Sequence, residues 1–263
     1  MDGKYTMPQI SACADELRGA SRGRTPTLEQ EMCQQLAGEV PSTASTWHYI
    51  DIPVPGAGKD LEKYCPDHNC VVDRITMFRG ILRNSPVEAQ RRAALLFLIH
   101  FYGDIHQPLH CAERACDRGG NSERVVYTLN GKESQSETLH KAWDVDDVEQ
   151  LMLNAHITDE REFANRLNAD IRPRRAKKWV RATVEQIAWE GNALAVKKAY
   201  HGVPFQDFCA KPQPQPVVTK LTQRYEKDEA KVAREQLMKA GVRLAAALNE
   251  AFSPKSNAPK NTD

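Results

Sequence analysis

Charge of one sign is missing from this chain. Its 263 residues carry 36 Lys and Arg against 35 Asp and Glu, a net charge of +1. That balance excludes a protein that holds polyanions by bulk charge alone, so any such site must be local. Long apolar runs are missing too. None approaches a membrane span, and the opening MDGKYTMPQI lacks the apolar core of a signal peptide. No CxxC pair and no Asn-x-Ser/Thr sequon occurs, so neither a zinc-ribbon spacing nor an N-glycan helps place the chain. Aromatics are scarce at 7%, and hydrophobic residues make up 41%, which makes a core feasible but not rich. No histidine precedes His48.

Seven cysteines are present. Cys65/Cys70 and Cys111/Cys116 are each five apart in polar, loop-like surroundings. They read as two small disulfide loops of an exported protein, against the alternative of reduced, buried thiols. The odd count leaves at least one thiol unpaired. Export and the polar N-terminus conflict, which leads us to expect a chain cut from a longer protein, or one that begins late.

Helical signals dominate. Short helices are expected near 9–18 and 27–39, and a short extended segment at 47–56. Helical apolar spacing recurs over 71–82. Ser85-Pro86-Val87-Glu88 has Ser, Pro and Glu at the places of an N-cap, N1 and N3. The helix that follows is apolar nearly all round over 93–99, as a central buried helix should be. Residues 124–131 read as a strand ending in an Asn-Gly turn, the only clear β signal. Further helices are expected over 140–153, 159–169, 176–199 and 217–250. The whole reads as one mainly α domain over 1–253 with a small β-hairpin, and a disordered polar tail over 254–263.

Chemistry concentrates in "HFYGDIHQPLH" (100–110) and "LHKAWD" (139–144). Each holds a His-x3-Asp pair, His100/Asp104 and His140/Asp144. On a helix that spacing puts imidazole and carboxylate on one face, half of a zinc site. His110 lies beside the first pair, His48 in "WHYID", and Asp15 in "CADELR". Taken singly, each is more commonly a satisfied core histidine or a surface pair. Two such halves together suggest several metals and phosphate-ester hydrolysis. His68, His106, His156 and His201 read as surface or loop, although His106 lies near enough to the site to contact substrate.

The ordered set ADELR, WHYIDIP, HFYGDIHQPLH, GGN and LHxxWD, running from about Ala14 to Ala251, closely resembles the zinc-dependent class I nuclease family. That family comprises fungal single-strand nucleases, plant bifunctional nucleases and the trypanosomatid 3′-nucleotidase/nucleases, and the likeness reads closest to the last. The resemblance implies a helical fold of the zinc phospholipase C and single-strand nuclease type, with three zinc ions. Asp15, His48, His100 and Asp104 would bind the most buried ion, and His110, His140 and Asp144 a separate one. Asp104 would bridge to a third ion, which the family completes with an N-terminal tryptophan and a histidine five residues later. No such Trp-x4-His occurs here. We therefore expect two or fewer well-formed zinc sites in this chain, and weak or no activity. The Cys65/Cys70 loop also resembles a family disulfide.

The resemblance further implies a close metal pair that activates the attacking water and a third metal that stabilises the departing 3′-oxygen. Asp15 would orient the water, and Arg18 would pair with phosphate oxygens. Tyr49 would stack on a base, Asp51 would accept from its edge, and Asn121 would add a base or phosphate contact. Expected substrates are single-stranded DNA and RNA, cut to 5′-nucleotides, and 3′-nucleotides, which lose phosphate. No protein partner is evident. The setting would be secreted, lumenal or cell-surface. The alternatives are a zinc phospholipase C-like hydrolase, disfavoured by Asp144 where that relative usually has Glu, and a catalytically incomplete metal-binding relative. The basic run "RPRRAKKWVR" (172–181) could track a phosphate backbone, but a solvated helix start is commoner.

Overall fold

A computed structural model describes residues 5–20, 26–38, 41–54, 58, 60–134 and 137–254. All but the first residue of the expected tail lies outside them. The first helices are α1 (Met7–Ser11), α2 (Cys13–Ala20) and α3 (Leu28–Ala37). Thr27 and Gln30 form a capping box on α3, which stops at Gly38 with φ 79°. The segment expected to be extended from residue 47 instead starts as the end of a 3₁₀ turn, Ser42–His48. The indole of Trp47 donates to Asn69 Oδ1 at 2.6 Å, and Arg74 stacks on its ring at 4.4 Å. These contacts fix the turn that presents His48.

α4 (Val71–Asn84) and α5 (Glu88–Asp104) form the central pair. Val87, not Ser85, is the N-cap of α5. Ser85 Oγ instead accepts the Val87 amide at 3.1 Å, capping the connecting turn. Leu96, Leu98 and Phe101 of α5 are almost wholly buried. Phe78 stacks on Phe97 at 4.8 Å, with Trp47 edge-on at 5.6 Å and Phe101 tilted at 5.5 Å. A chain poor in aromatics thus spends several of them in one stack, directly behind the end of α5 that bears His100 and Asp104.

The β structure is small. β1 (Arg124–Val126) lies between β4 (Glu137–Thr138), antiparallel, and β5 (Val218–Lys220), parallel. β2 (Thr128–Leu129) and β3 (Lys132–Glu133) form the expected hairpin. Its turn residues Asn130 and Gly131 both have positive φ, 50° and 73°, as a type I′ turn requires.

α6 (Leu139–Lys141) passes through a π-type segment, Ala142–Asp146, into α7 (Asp147–Asn154). α8 (Glu160–Ala169) follows. The single helix expected over 176–199 is two, α9 (Pro173–Trp179) and α10 (Val184–Leu194). The break occurs because Thr183 and Gln186 form a capping box that starts a new helix. α10 ends in a π turn, Ala195–Ala199. α11 (Gln223–Phe252) begins later than expected, because Thr222 caps it and residues 218–220 pair with β1. No helix among the described residues is long and apolar enough to cross a membrane.

Three disulfides tie the chain together: Cys13–Cys33, Cys65–Cys70 and Cys116–Cys209. The Cys65–Cys70 loop is as expected. The Cys111–Cys116 loop is not formed. Cys116, at φ 61°, turns out to Cys209, with Cα atoms 5.1 Å apart. Cys111 turns in and is a free, buried thiol packed on Gly191, where a Cβ would come within 3.0 Å of its Sγ. Burial pushes that thiol well above its ordinary pKa.

Candidate metal centre

The two His-x3-Asp pairs and their companions converge on one cleft of 1110 Å³. α5 ends there with His100 and Asp104. α2 adds Asp15, and the Ser42–His48 turn adds His48. Asp104 Oδ2 stands 3.0 Å from His48 Nδ1 and 3.2 Å from His100 Nε2. Asp15 approaches the same two rings at 3.6 Å with one oxygen each. His110, on a buried 3₁₀ turn (Pro108–Cys111), begins the second set. Its Nε2 lies 3.3 Å from Asp144 Oδ1, and His140 Nε2 lies 3.1 Å from Asp144 Oδ2. Asp104 faces both sets, since its Oδ1 is 3.8 Å from His110 Nδ1.

The ring orientations test whether cations fit. His100, His110 and His140 each donate Nδ1–H to a backbone carbonyl: Ser11 at 2.7 Å, His48 at 2.8 Å and Gly119 at 2.7 Å. Each is thereby held in the tautomer whose Nε2 lone pair faces carboxylates. His100 Nε2 is buried and makes no hydrogen bond of proper geometry. A lone pair against carboxylate oxygens is repulsive unless positive charge lies between them. Without metal that charge is a proton. Burial opposes it, yet Asp104, Asp15 and the Ser11 carbonyl together outweigh burial and raise His100 to about 9. At His110 burial is likewise outweighed, by Asp144 and Asp104, and the group rises to about 10. His48 is shifted down, chiefly by burial. Asp15/His48/His100 and His110/His140/Asp144 each offer three ligand atoms within 4.8 Å of one another. Both sets therefore fit divalent metal ions. The similar grouping of Cys65, Cys70 and Asp73 does not, because its sulfurs form a disulfide.

Asp15 is also paired with Arg18 at 2.9 Å, and both side chains are about half exposed on the cleft wall. Tyr49, Asp51 and Asn121 line the same cleft. Burial, then Glu113 and Asp117, raise Asp51 to about 7. The Asn121 side-chain N–H donates to Arg118 O at 2.9 Å, and its side-chain oxygen is an acceptor.

Several supporting residues carried no local signal. Gln107 donates to Asp144 Oδ1 at 2.8 Å. Gly119, at φ 60°, supplies the carbonyl for His140, and a Cβ there would fall 2.6 Å from Leu109 O. Its place in "GGN" was the available clue. His106 is a correction: it borders the cleft but is buried, with neither nitrogen free for substrate. Nδ1 donates to Tyr102 O at 2.7 Å, and Nε2 accepts from Arg243 at 2.9 Å. Burial and Arg243 hold it down to about 3, so it stays neutral. Arg243 also donates to Trp179 O and Glu190. α11 thus pins the turn that joins the two ligand sets. The basic run resolves as a helix start: Trp179 is buried, with Arg175 stacked on it at 5.0 Å and paired with Glu235. No indole is left there for a base.

A mainly helical domain with two histidine–carboxylate sets in one cleft belongs to the class of metal-dependent hydrolases. The family profile described as S1/P1 nuclease matches residues 1–253. This chain belongs to the S1/P1 nuclease family, whose members hydrolyse phosphodiester bonds. It is 30% identical to nuclease S1 of Aspergillus oryzae over 129 residues, 48% of this chain and 42% of that protein. It is 26% identical to endonuclease 3 of Arabidopsis thaliana over 226 residues, 80% of this chain and 71% of that protein. Nuclease P1 of Penicillium citrinum is 26% identical over 169 residues, 63% and 53% respectively. The matched stretches thus span about half of each fungal enzyme.

Proposed function

We propose that this chain is a zinc-dependent hydrolase of single-stranded DNA and RNA that releases 5′-nucleotides and removes 3′-phosphate from nucleotides. The observation that carries the reading is the convergence of both ligand sets, Arg18 and the Tyr49–Asp51 pair in one cleft. Asp15, His48, His100 and Asp104 would hold one zinc, and His110, His140 and Asp144 another. When bound, zinc supplies a Lewis acid that polarises phosphoryl oxygens and brings the pKa of water at the site toward neutrality. The chain's own groups do the rest. Asp15, half exposed, orients a water on the cleft side. Arg18 has donors beyond its contact with Asp15 and pairs with phosphate oxygens as their charge grows. Tyr49 offers a face to a base, and Asp51, when ionised, accepts from the base edge. The Asn121 side-chain oxygen accepts a further donor. Stacking reads no sequence, which suits single strands. The three disulfides support a secreted, lumenal or cell-surface setting.

The test is direct. The zinc-loaded chain is assayed for acid-soluble nucleotides from single-stranded DNA, phosphate from 3′-AMP, and phosphocholine from phosphatidylcholine. The proposal expects the first two, at the weak rate anticipated from the sequence, and not the third. Release of phosphocholine alone would make it a lipase-like relative. Bound zinc with no turnover on any substrate would make it a binding protein.

A further inference from the structure

Outside the cleft the structure has a second cavity, of 500 Å³. Trp143 lines the cleft and Tyr225 lines this cavity, and the indole N–H reaches Tyr225 Oη at 3.4 Å. An aromatic contact thus joins the wall of one space to that of the other. Three elements wall the second one: the π turn after α10, strand β5 and the first turns of α11.

Four cations border it, namely Lys197, Lys198, Lys220 and Arg224. For a chain of net charge +1 that is a local concentration. Lys220 is paired with Glu133 at 2.5 Å. Among the described residues no carboxylate lies within ion-pair range of Lys197, Lys198 or Arg224. Thr219 Oγ1, also on the wall, is buried and has no hydrogen-bond partner. The N-terminus of the 30-residue α11 points the same way, with Thr222 using its hydroxyl on only one of the first amides.

The two acids on this wall offset its cations only in part. Asp228 is paired with Lys231 at 2.8 Å and also feels Lys198 and Arg224. Glu229 is buried, and burial together with Asp147 pushes its carboxyl well above the usual carboxylate range, which favours the uncharged form. The Tyr225 hydroxyl is spent on Ala199 O and on the Trp143 indole. The rings of Tyr225 and His201 also line the wall, but its cations, unpaired hydroxyl and helix amides are the groups that recognise phosphate.

We propose that this cavity is a second contact point for the phosphodiester backbone of single-stranded nucleic acid, separate from the cleft. From Arg224 to the cleft residue Gln236 is twelve residues of α11, about 18 Å at the helical rise. A strand long enough to engage both gains affinity from the second contact, and a mononucleotide does not. The inference rests on the nuclease reading for its ligand, but it is tested by binding alone.

The test uses the full chain in excess EDTA, so that no strand is cut, and fluorescence anisotropy of a labelled oligothymidylate across a salt series. Lys197→Glu/Arg224→Glu is compared with Lys177→Glu/Lys178→Glu, an equal charge change on α9. The cavity variant should bind at least about tenfold more weakly and lose roughly 0.7 of log–log salt slope per phosphate contact removed, while the α9 variant changes much less. Lys197→Gln/Arg224→Gln, checked by thermal melting, keeps the test valid if the charge reversal misfolds. Equal losses in both pairs would mean bulk charge and overturn the proposal, as would no loss in either. Equal loss for a labelled 5′-nucleotide would make the cavity a nucleotide pocket and also overturn it. Hydrolysis by the wild-type chain is scored separately: a chain that binds in this pattern but never cuts refutes the nuclease reading and leaves the cavity standing.

Discussion

The two ligand sets are chemically alike and mechanically different. The inner one stands on the core. His100 and Asp104 end a buried helix, His48 packs edge-on to Phe101 at 5.2 Å, and Cys13–Cys33 braces the helix that bears Asp15. The outer one stands on irregular backbone. His110 sits on a 3₁₀ turn and Asp144 in a π-type segment, and His140 leans on the carbonyl of a left-handed glycine. The loop bearing that glycine includes Ala115, Cys116, Arg118 and Gly120, all at positive φ, and is stapled by Cys116–Cys209. Ligand identity alone does not set how firmly a metal is held. The elements behind the ligands do.

Asp104 is the residue at which the comparison should fail, because it faces both sets. Asp104→Ala should empty the inner site, weaken the outer one, and lower kcat/KM on single-stranded DNA by about 10⁴-fold, roughly 5 kcal/mol. Metal content by mass spectrometry checks it. A variant that keeps both metals would show that Asp104 is a neighbour and not a ligand.

The staples separate the sets next. Cys116–Cys209 closes 93 residues and Cys65–Cys70 closes 5. Chain entropy then gives about 4 to 5 kcal/mol for the long loop and about 2 for the short one, as upper values. Cys116→Ser/Cys209→Ser should lower the melting temperature more than Cys65→Ser/Cys70→Ser, and should cost the outer metal while the inner one stays. Equal loss of both metals would show that the sets stand or fall together. Gln107→Ala is a smaller probe of the same kind. It removes the 2.8 Å hydrogen bond to Asp144 and also the acceptor that caps Leu109 N–H at the start of the His110 turn, and outer-metal affinity should fall about 10- to 100-fold, with inner affinity unchanged in a chelator titration.

What could be read from sequence divides along the same line. The His-x3-Asp pairs are local: helical spacing alone puts His100 beside Asp104 and His140 beside Asp144, at 3.2 and 3.1 Å. The Asn-Gly hairpin and the Cys65–Cys70 loop are local as well, and both formed. Cys116–Cys209 joins residues 93 apart, and Arg243 meets His106 across 137. No periodicity encodes such closures. The short spacing of Cys111 and Cys116 suggested a loop, whereas Gly191 left room for a buried thiol. The split between α9 and α10 was legible in principle, since Thr183 and Gln186 have the spacing of a capping box. A continuous helical period outweighed it.

Asp51 offers the finest probe, because it lies between the two regions. It follows the inner ligand His48 by three residues, while the carboxylates that repel it, Glu113 and Asp117, belong to the outer loop. Burial comes first and these two second in raising it to about 7 from 3.8. The folded chain then holds a proton between those values that the unfolded chain has lost. Asp51 therefore contributes stability that is full below 3.8 and is lost as pH rises through about 7. Asp51→Asn should flatten that part of the melting-temperature profile. In the base-edge role proposed for Asp51, binding has the opposite sign: the ionised carboxylate is the stronger acceptor and cannot donate, so KM should fall as pH rises through about 7. In the chelated Cys116→Ser/Cys209→Ser chain, a carboxyl carbon NMR titration should show Asp51 below about 7 but still above 3.8, because the loop charges withdraw while burial remains. An unchanged value would mean that the loop keeps its place without its staple, and that the outer set is as firmly founded as the inner.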